Sequence, residues 1–194
     1  MLSVVVLISG TGSNLLALLK TIENPLVPVR VVAVGSDGAA PGLAHADLYG
    51  IPTFVVERSK FPDRESWGRR LQETVESYNP DLVALAGFMK ILPPKFIDRF
   101  SPNIINIHAS MLPLFPGANA VRDTLAAGVT ETGATIHVVD AGMDTGPIIE
   151  QRKVPVMPGD DIATLHERIK VHERDMLIQT IIGVAEKRID LASF

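Results

Sequence analysis

The sequence predicts an open α/β sheet, mostly parallel, twisted, and wound by helices on both faces. Three observations carry this. Val4 to Ile8 is an unbroken apolar run rich in β-branched residues, as expected of a strand covered on both sides. Strand and helix patterns then alternate as far as His108. After Gly117 the alternation stops, and two strands joined by a Gly/Asp-rich loop predict an antiparallel edge in the C-terminal half.

The elements follow in order. The turn Ser9-Gly10-Thr11-Gly12-Ser13-Asn14 leads into a helix whose apolar face is Leu15, Leu16, Leu18 and Leu19 and which ends near Asn24-Pro25. Val29 to Val34 is a second strand. A short helix from Leu43 to Tyr49 is closed by Gly50, and Pro52 to Val56 is a third strand. Pro62 to Tyr78 reads as a charged amphipathic helix, Asp81 to Ala86 as a strand, Pro94 to Phe100 as a brief helix and Asn103 to Ile107 as a strand. A helix over Ala120 to Ala127 precedes the strands Thr135 to Val139 and Ile148 to Val156. A long helix over Ile162 to Lys187 repeats Leu165, Ile169, Met176, Ile181 and Ala185 at helical spacing. No repeat or linker interrupts the chain. It reads as one Rossmann-like domain over 1–194, with a phosphate-binding half (1–100) and a catalytic, donor-binding half (101–194).

The 194 residues are 46% hydrophobic and 21% charged, enough apolar material for a single core and too little charge for disorder. The net charge of −4, without a basic block, disfavours nucleic acid as a partner. No cysteine is present, which excludes disulfides, thiol catalysis and thiolate metal sites and suits a reducing, cytoplasmic setting. Met1 to Ile8 is too short and uncharged for a signal peptide, and no run approaches the ~18 apolar residues of a membrane span.

Two motifs carry chemistry. Ser9 to Asn14 joins a buried strand to a helix, where glycines admit an anion close to the backbone and the helix end offers free N–H groups. Leu15 stands where a dinucleotide fingerprint needs its third glycine, and no Gly-Lys-Ser/Thr follows, so a single phosphate monoester fits best. A tight capped turn is the other reading of this stretch. The second motif is Asn106-Ile107-His108, at a strand end where side chains two apart share a face. An amide and an imidazole there can stabilise an oxyanion and move a proton. Asp144, folded back from the loop Asp140 to Pro147, would favour the charged imidazolium. A structural strand-end histidine and an ordinary hairpin loop remain the alternatives.

The stretch Ala86-Gly87-Phe88-Met89-Lys90-Ile91-Leu92, the Asn-x-His-x-Ser-x-Leu-Pro-x-x-x-Gly core from Asn106 to Gly117 and the Asp144-Thr145-Gly146-Pro147 loop together resemble the folate-dependent formyltransferases. The N-terminal phosphate loop narrows the resemblance to the branch that formylates glycinamide ribonucleotide in purine synthesis. It implies transfer of the formyl group of 10-formyltetrahydrofolate, a co-substrate, to the ribonucleotide amine, with no metal. It implies Asn106, His108 and Asp144 as catalytic residues, and Gly12, Ser13 and Asn14 on the phosphate. Glu173 would meet the ribose hydroxyls. Arg64, with Met89, Lys90, Ile91 and Leu92, would contact the folate, beside Asn106 and Asp144.

Two positions depart from the family pattern. Asn119 stands where many members carry a histidine, and Ala109 replaces a common proline, which is expected to loosen the loop after His108. Of the other histidines, His137 reads as a core or hydrogen-bonded residue, and His45, His166 and His172 as exposed on helices. The run Met176-Leu177-Ile178 reads as core or as subunit contact, compatible with a homodimer.

Four rivals remain. A formyltetrahydrofolate hydrolase would share the Asn-His-Asp group but is expected to carry an added N-terminal domain. Transfer to a tRNA or an amino-sugar nucleotide is expected to bring a C-terminal domain beyond Phe194. A non-catalytic nucleotide-binding module would use the Ser9–Asn14 loop alone. An oxidoreductase lacks the glycine spacing and has only Asp37, in a loop, for a ribose.

Overall fold

The computed structural model describes residues 1–194. Seven strands form one sheet: β1 (Leu2–Ile8), β2 (Val29–Ser36), β3 (Thr53–Val55), β4 (Leu82–Leu85), β5 (Ile104–His108), β6 (Glu131–Val138) and β7 (Ile148–Pro155). Their order is β3-β2-β1-β4-β5-β6-β7, with β1 to β5 parallel and β6 and β7 joined antiparallel. The helices are α1 (Ser13–Ile22), α2 (Leu43–Leu48), α3 (Arg64–Glu76), α4 (Pro94–Phe100), α5 (Ala120–Ala126) and α6 (Ile162–Ala185). The expected single α/β domain with an antiparallel edge is what forms.

Alternation within β1 explains the two layers. Val4, Val6 and Ile8 join one buried cluster with Leu15, Leu18, Leu19, Leu165, Ile169 and Ile181 of α1 and α6. Val5 and Leu7 point to the opposite cluster, built on Trp67, Leu71 and Val75 of α3 and Phe96 of α4. Both faces are dry along Val4–Ile8, and that stretch of β1 carries no polar residue. Met176 and Leu177 are fully buried in the first cluster, which settles them as core.

The largest departure from expectation is β6, which starts at Glu131 and not at Thr135. Thr130 to Gly133 looks like a turn in sequence. In the sheet, Gly133 is required by crowding: a Cβ there would lie 2.2 Å from the Arg152 carbonyl oxygen and 2.5 Å from the Met111 sulfur. Helix starts are conventional. The Asp63 side chain accepts from the Ser66 amide at 2.6 Å, and Asp161 and Thr164 form a reciprocal capping box.

The order of the parallel strands reverses between β1 and β4. Loops leaving their carboxyl ends therefore diverge and open a crevice there, where ligands sit in open α/β sheets. Trp67 braces one wall of it. Its indole N–H donates to the Val56 carbonyl at 2.8 Å and its ring stacks on Phe88 at 6.3 Å between centroids. No helix is long and apolar enough to cross a membrane. Replacing Trp67 with alanine empties the second cluster and should destabilise the fold by roughly 3–5 kcal/mol, read as a lower urea midpoint. A loss under ~1 kcal/mol would contradict this account of the wall.

Candidate active site

The crevice is a cleft of about 490 Å³. One end is walled by Gly10 to Asn14 with His166, Lys170 and Glu173, and the other by Ala86 to Leu92. Asn106, His108, His137 and Asp144 also line it. The expected ribonucleotide, catalytic and donor residues thus share one cavity, with Arg64 the exception. Arg64 is exposed at the first turn of α3. It lies outside the cleft lining.

The catalytic group forms because β5 runs antiparallel to β6. Asn106 lies opposite His137, and His108 opposite Thr135. His137 is 2% exposed. Its Nδ1–H donates to the Val138 carbonyl at 2.9 Å, leaving Nε2 to accept from the Asn106 amide at 3.1 Å. Asn106 Nδ2 lies a longer 3.4 Å from Asp144 Oδ1. His108 Nε2 donates to the Phe115 carbonyl at 2.9 Å, while Nδ1 faces Asp144 Oδ2 at 3.5 Å. Tight bonds therefore fix the orientation of Asn106 and His108. The approaches of both to Asp144 are long, and His108 Nδ1 carries a hydrogen to offer only when the ring is protonated.

Asp144 sits in the left-handed backbone region at φ 55° and receives the Gly117 amide on Oδ2 at 2.7 Å. Burial opposes its charge. The His137 ring, the Gly117 amide and the proximity of His108 outweigh that and hold its carboxyl below the usual carboxylate value. Asp144 is therefore ionised throughout the neutral range.

The loop after His108 is not loosened by Ala109. Ser110 Oγ donates to the Leu114 carbonyl at 2.6 Å, the Leu112 amide donates to Thr135 Oγ1, and Gln151 Nε2 donates to the Leu112 carbonyl at 2.8 Å. Asn119 is exposed ahead of α5 and lines no part of the cleft. His137 and the Gly117 amide complete the Asp144 network without it.

At the other end Gly12 takes φ 70°, and no protein acceptor binds the amides of Thr11, Gly12, Ser13 or Asn14. Lys170 lines the same cleft, its ammonium paired with Glu167 at 2.6 Å. Glu173, on α6, is 6% exposed and so buried. Burial pushes its carboxyl above the usual value, partly offset by the Asn14 amide and by the charges of Lys170 and Arg174. Asn14 Oδ1 is buried without a partner, a polar atom left for a ligand.

His166, His172 and His45 are half-buried and not exposed as expected. His166 and Lys170 escaped the sequence reading, although the spacing 166, 170, 173 places them on one helical face with Glu173. His137 gave no such signal, because its role depends on strand pairing. Asp37 is occupied: Ser9 Oγ donates to it at 2.5 Å and Lys90 Nζ lies 3.6 Å away.

Comparison with known proteins places this geometry. A family model described as formyl transferase matches residues 2–181. A Mycobacterium tuberculosis protein named phosphoribosylglycinamide formyltransferase is 48% identical over 93% of this chain and 84% of its own length. An Escherichia coli protein of the same name is 38% identical over 98% of this chain and 90% of its own. The crystal structure of glycinamide ribonucleotide transformylase 1 from Symbiobacterium toebii superposes with a TM-score of 0.94 at 40% identity, covering 98% of this chain and 90% of that one.

Glu173 supplies a stability test. Its raised folded-state value makes its contribution full below the unfolded value of about 4.3 and lost as pH rises through the folded one. Glu173→Gln should therefore gain stability over the parent chain on going from pH 4 to pH 8 in urea unfolding. An unchanged difference across that range would contradict a buried, strained carboxylate.

Proposed function

This chain belongs to the formyl transferase family, and from that premise we propose that it transfers the formyl group of 10-formyltetrahydrofolate to the amine of glycinamide ribonucleotide, a step of purine synthesis. One observation carries the reading. Asn106, His108 and Asp144 meet in a cleft that has unsatisfied amides and a buried carboxylate at one end and an apolar slot at the other.

The ribonucleotide phosphate takes the amides of Gly12, Ser13 and Asn14 at the start of α1, with Lys170 as counter-charge. Glu173 and Asn14 receive the ribose hydroxyls. The folate ring enters the slot made by Met89, Lys90, Ile91 and Leu92, with the exposed Arg64 as a cation for the folate's charged tail. Held so, the two substrates react directly, and no covalent enzyme intermediate is required.

The neutral amine attacks the formyl carbon, and the carbonyl oxygen becomes an oxyanion. Asn106 Nδ2–H and His108 Nδ1–H are the donors left free to meet it. Asp144 faces the same imidazole edge, so its charge offsets a protonated His108. Collapse of the tetrahedral centre breaks the bond to the folate nitrogen. That nitrogen takes the proton lost by the amine, carried by His108 or by a water beside it.

Two outcomes follow. With the purified protein, tetrahydrofolate should appear from 10-formyltetrahydrofolate only when glycinamide ribonucleotide is added; release without it would mark a hydrolase. In that assay Asn106→Ala, His108→Ala and Asp144→Ala should remain folded and lose about 10²- to 10³-fold in kcat, and a few-fold loss for Asp144→Ala would remove it from the mechanism. Separately, kcat/KM for the ribonucleotide should fall toward acid as the amine protonates, beginning near about pH 8. Asp144 stays charged over this range, so its titration is not the cause. A flat profile from about pH 5 to 8 would contradict attack by a neutral amine.

A further inference from the structure

The phosphate loop does not hold its own shape. Two successive carbonyls of it are turned toward the loop and helix that follow β2. The Gly42 amide donates to the Gly10 carbonyl at 3.0 Å. His45 Nε2, one turn further along α2, donates to the Thr11 carbonyl at 3.1 Å. Backbone contact locks the two segments: a Cβ on Gly12 would lie 2.9 Å from Gly42 Cα, and one on Gly42 would lie 2.8 Å from Gly12 Cα. In a trans peptide the C=O and the following N–H point in opposite directions. Drawing the Gly10 and Thr11 carbonyls toward α2 therefore turns the Thr11 and Gly12 N–H groups away from it, and neither has a protein acceptor. Both residues line the cleft.

We propose that His45 is a positioning residue for the ribonucleotide: its bond to the Thr11 carbonyl aims the Gly12 amide at the phosphate and keeps a carbonyl oxygen from facing that anion. The inference rests on the ribonucleotide reading above. His45 donates through Nε2–H and is absent from the cleft lining. It therefore touches the backbone and not the substrate. The Gly42 bond secures the neighbouring peptide, so loss of His45 frees one peptide plane and not the whole loop.

The test compares the parent chain with His45→Ala and His45→Gln, whose side-chain amide can replace the Nε2–H. Calorimetry measures binding of glycinamide ribonucleotide and, separately, of inorganic phosphate. Steady-state kinetics measures kcat and the KM for each substrate. His45→Ala should weaken both phosphate-bearing ligands about three- to tenfold, the weight of one hydrogen bond. It should leave kcat at saturation and the KM for 10-formyltetrahydrofolate unchanged. His45→Gln should bind within about twofold of the parent, since the same principle assigns the effect to the donor. Equal binding by parent and His45→Ala overturns the proposal, as does a His45→Gln as weak as His45→Ala, which would mark a role for charge. A parent that binds phosphate but not the ribonucleotide overturns the functional reading, and the variants' phosphate affinities then decide this inference alone. A parent that binds neither overturns both.

Discussion

The Asp144 carboxylate is the point on which the site depends. It is drawn to the end of β5 from a loop between β6 and β7, and four groups converge on it: Asn106, His108, His137 and the Gly117 amide. Burial alone would neutralise it, and the surrounding donors keep it charged. In the proposed mechanism a fixed negative charge there orients the side chains that would stabilise a different negative charge, on the substrate, and the long separations from Asn106 and His108 suit that role.

The two ends of the cleft solve opposite problems. At the proposed phosphate end, the backbone amides at the start of α1 have no protein acceptor, and Lys170, paired with Glu167, lines the same cleft. A buried Glu173 stands beside an Asn14 oxygen that has no partner, a local cost that ligand hydroxyls would relieve. At the donor end, Leu92 and Phe88 are buried while Met89 and Ile91 are exposed, so the slot is apolar but open. Ser9 ties the ends together: its hydroxyl accepts from the Met89 amide at 2.8 Å and donates to Asp37, which lies close to Lys90. Residues from both halves of the chain line the one cleft, 89–92 from the first and Lys170 and Glu173 from the second.

Most of the fold was legible because buried parallel strands leave continuous apolar runs. Val4–Ile8 is the clearest, and Leu165, Ile169 and Ile181 mark the buried face of α6 at helical spacing. The start of β6 was not legible, since Gly133 is dictated by the approach of Arg152 and Met111 from elsewhere in the chain. In the site, Asn106, His108 and Gly12 could be read from local geometry, as a strand end and a turn. Asp144 needed the family resemblance. His137 needed the β5–β6 register, which no single stretch encodes. Arg64, carried over by likeness, is exposed and does not line the cleft.

A crystal structure with glycinamide ribonucleotide and a non-transferable formyl-folate analogue bound together tests the central claim most directly. The account predicts the ribonucleotide nitrogen within about 3.5 Å of the formyl carbon, near-attack range, with the formyl oxygen on Asn106 Nδ2 and the His108 ring. The Asp144 carboxylate should remain on the Gly117 amide. A formyl group turned away from these three side chains, or Asp144 swung out to solvent with both ligands seated, would contradict it.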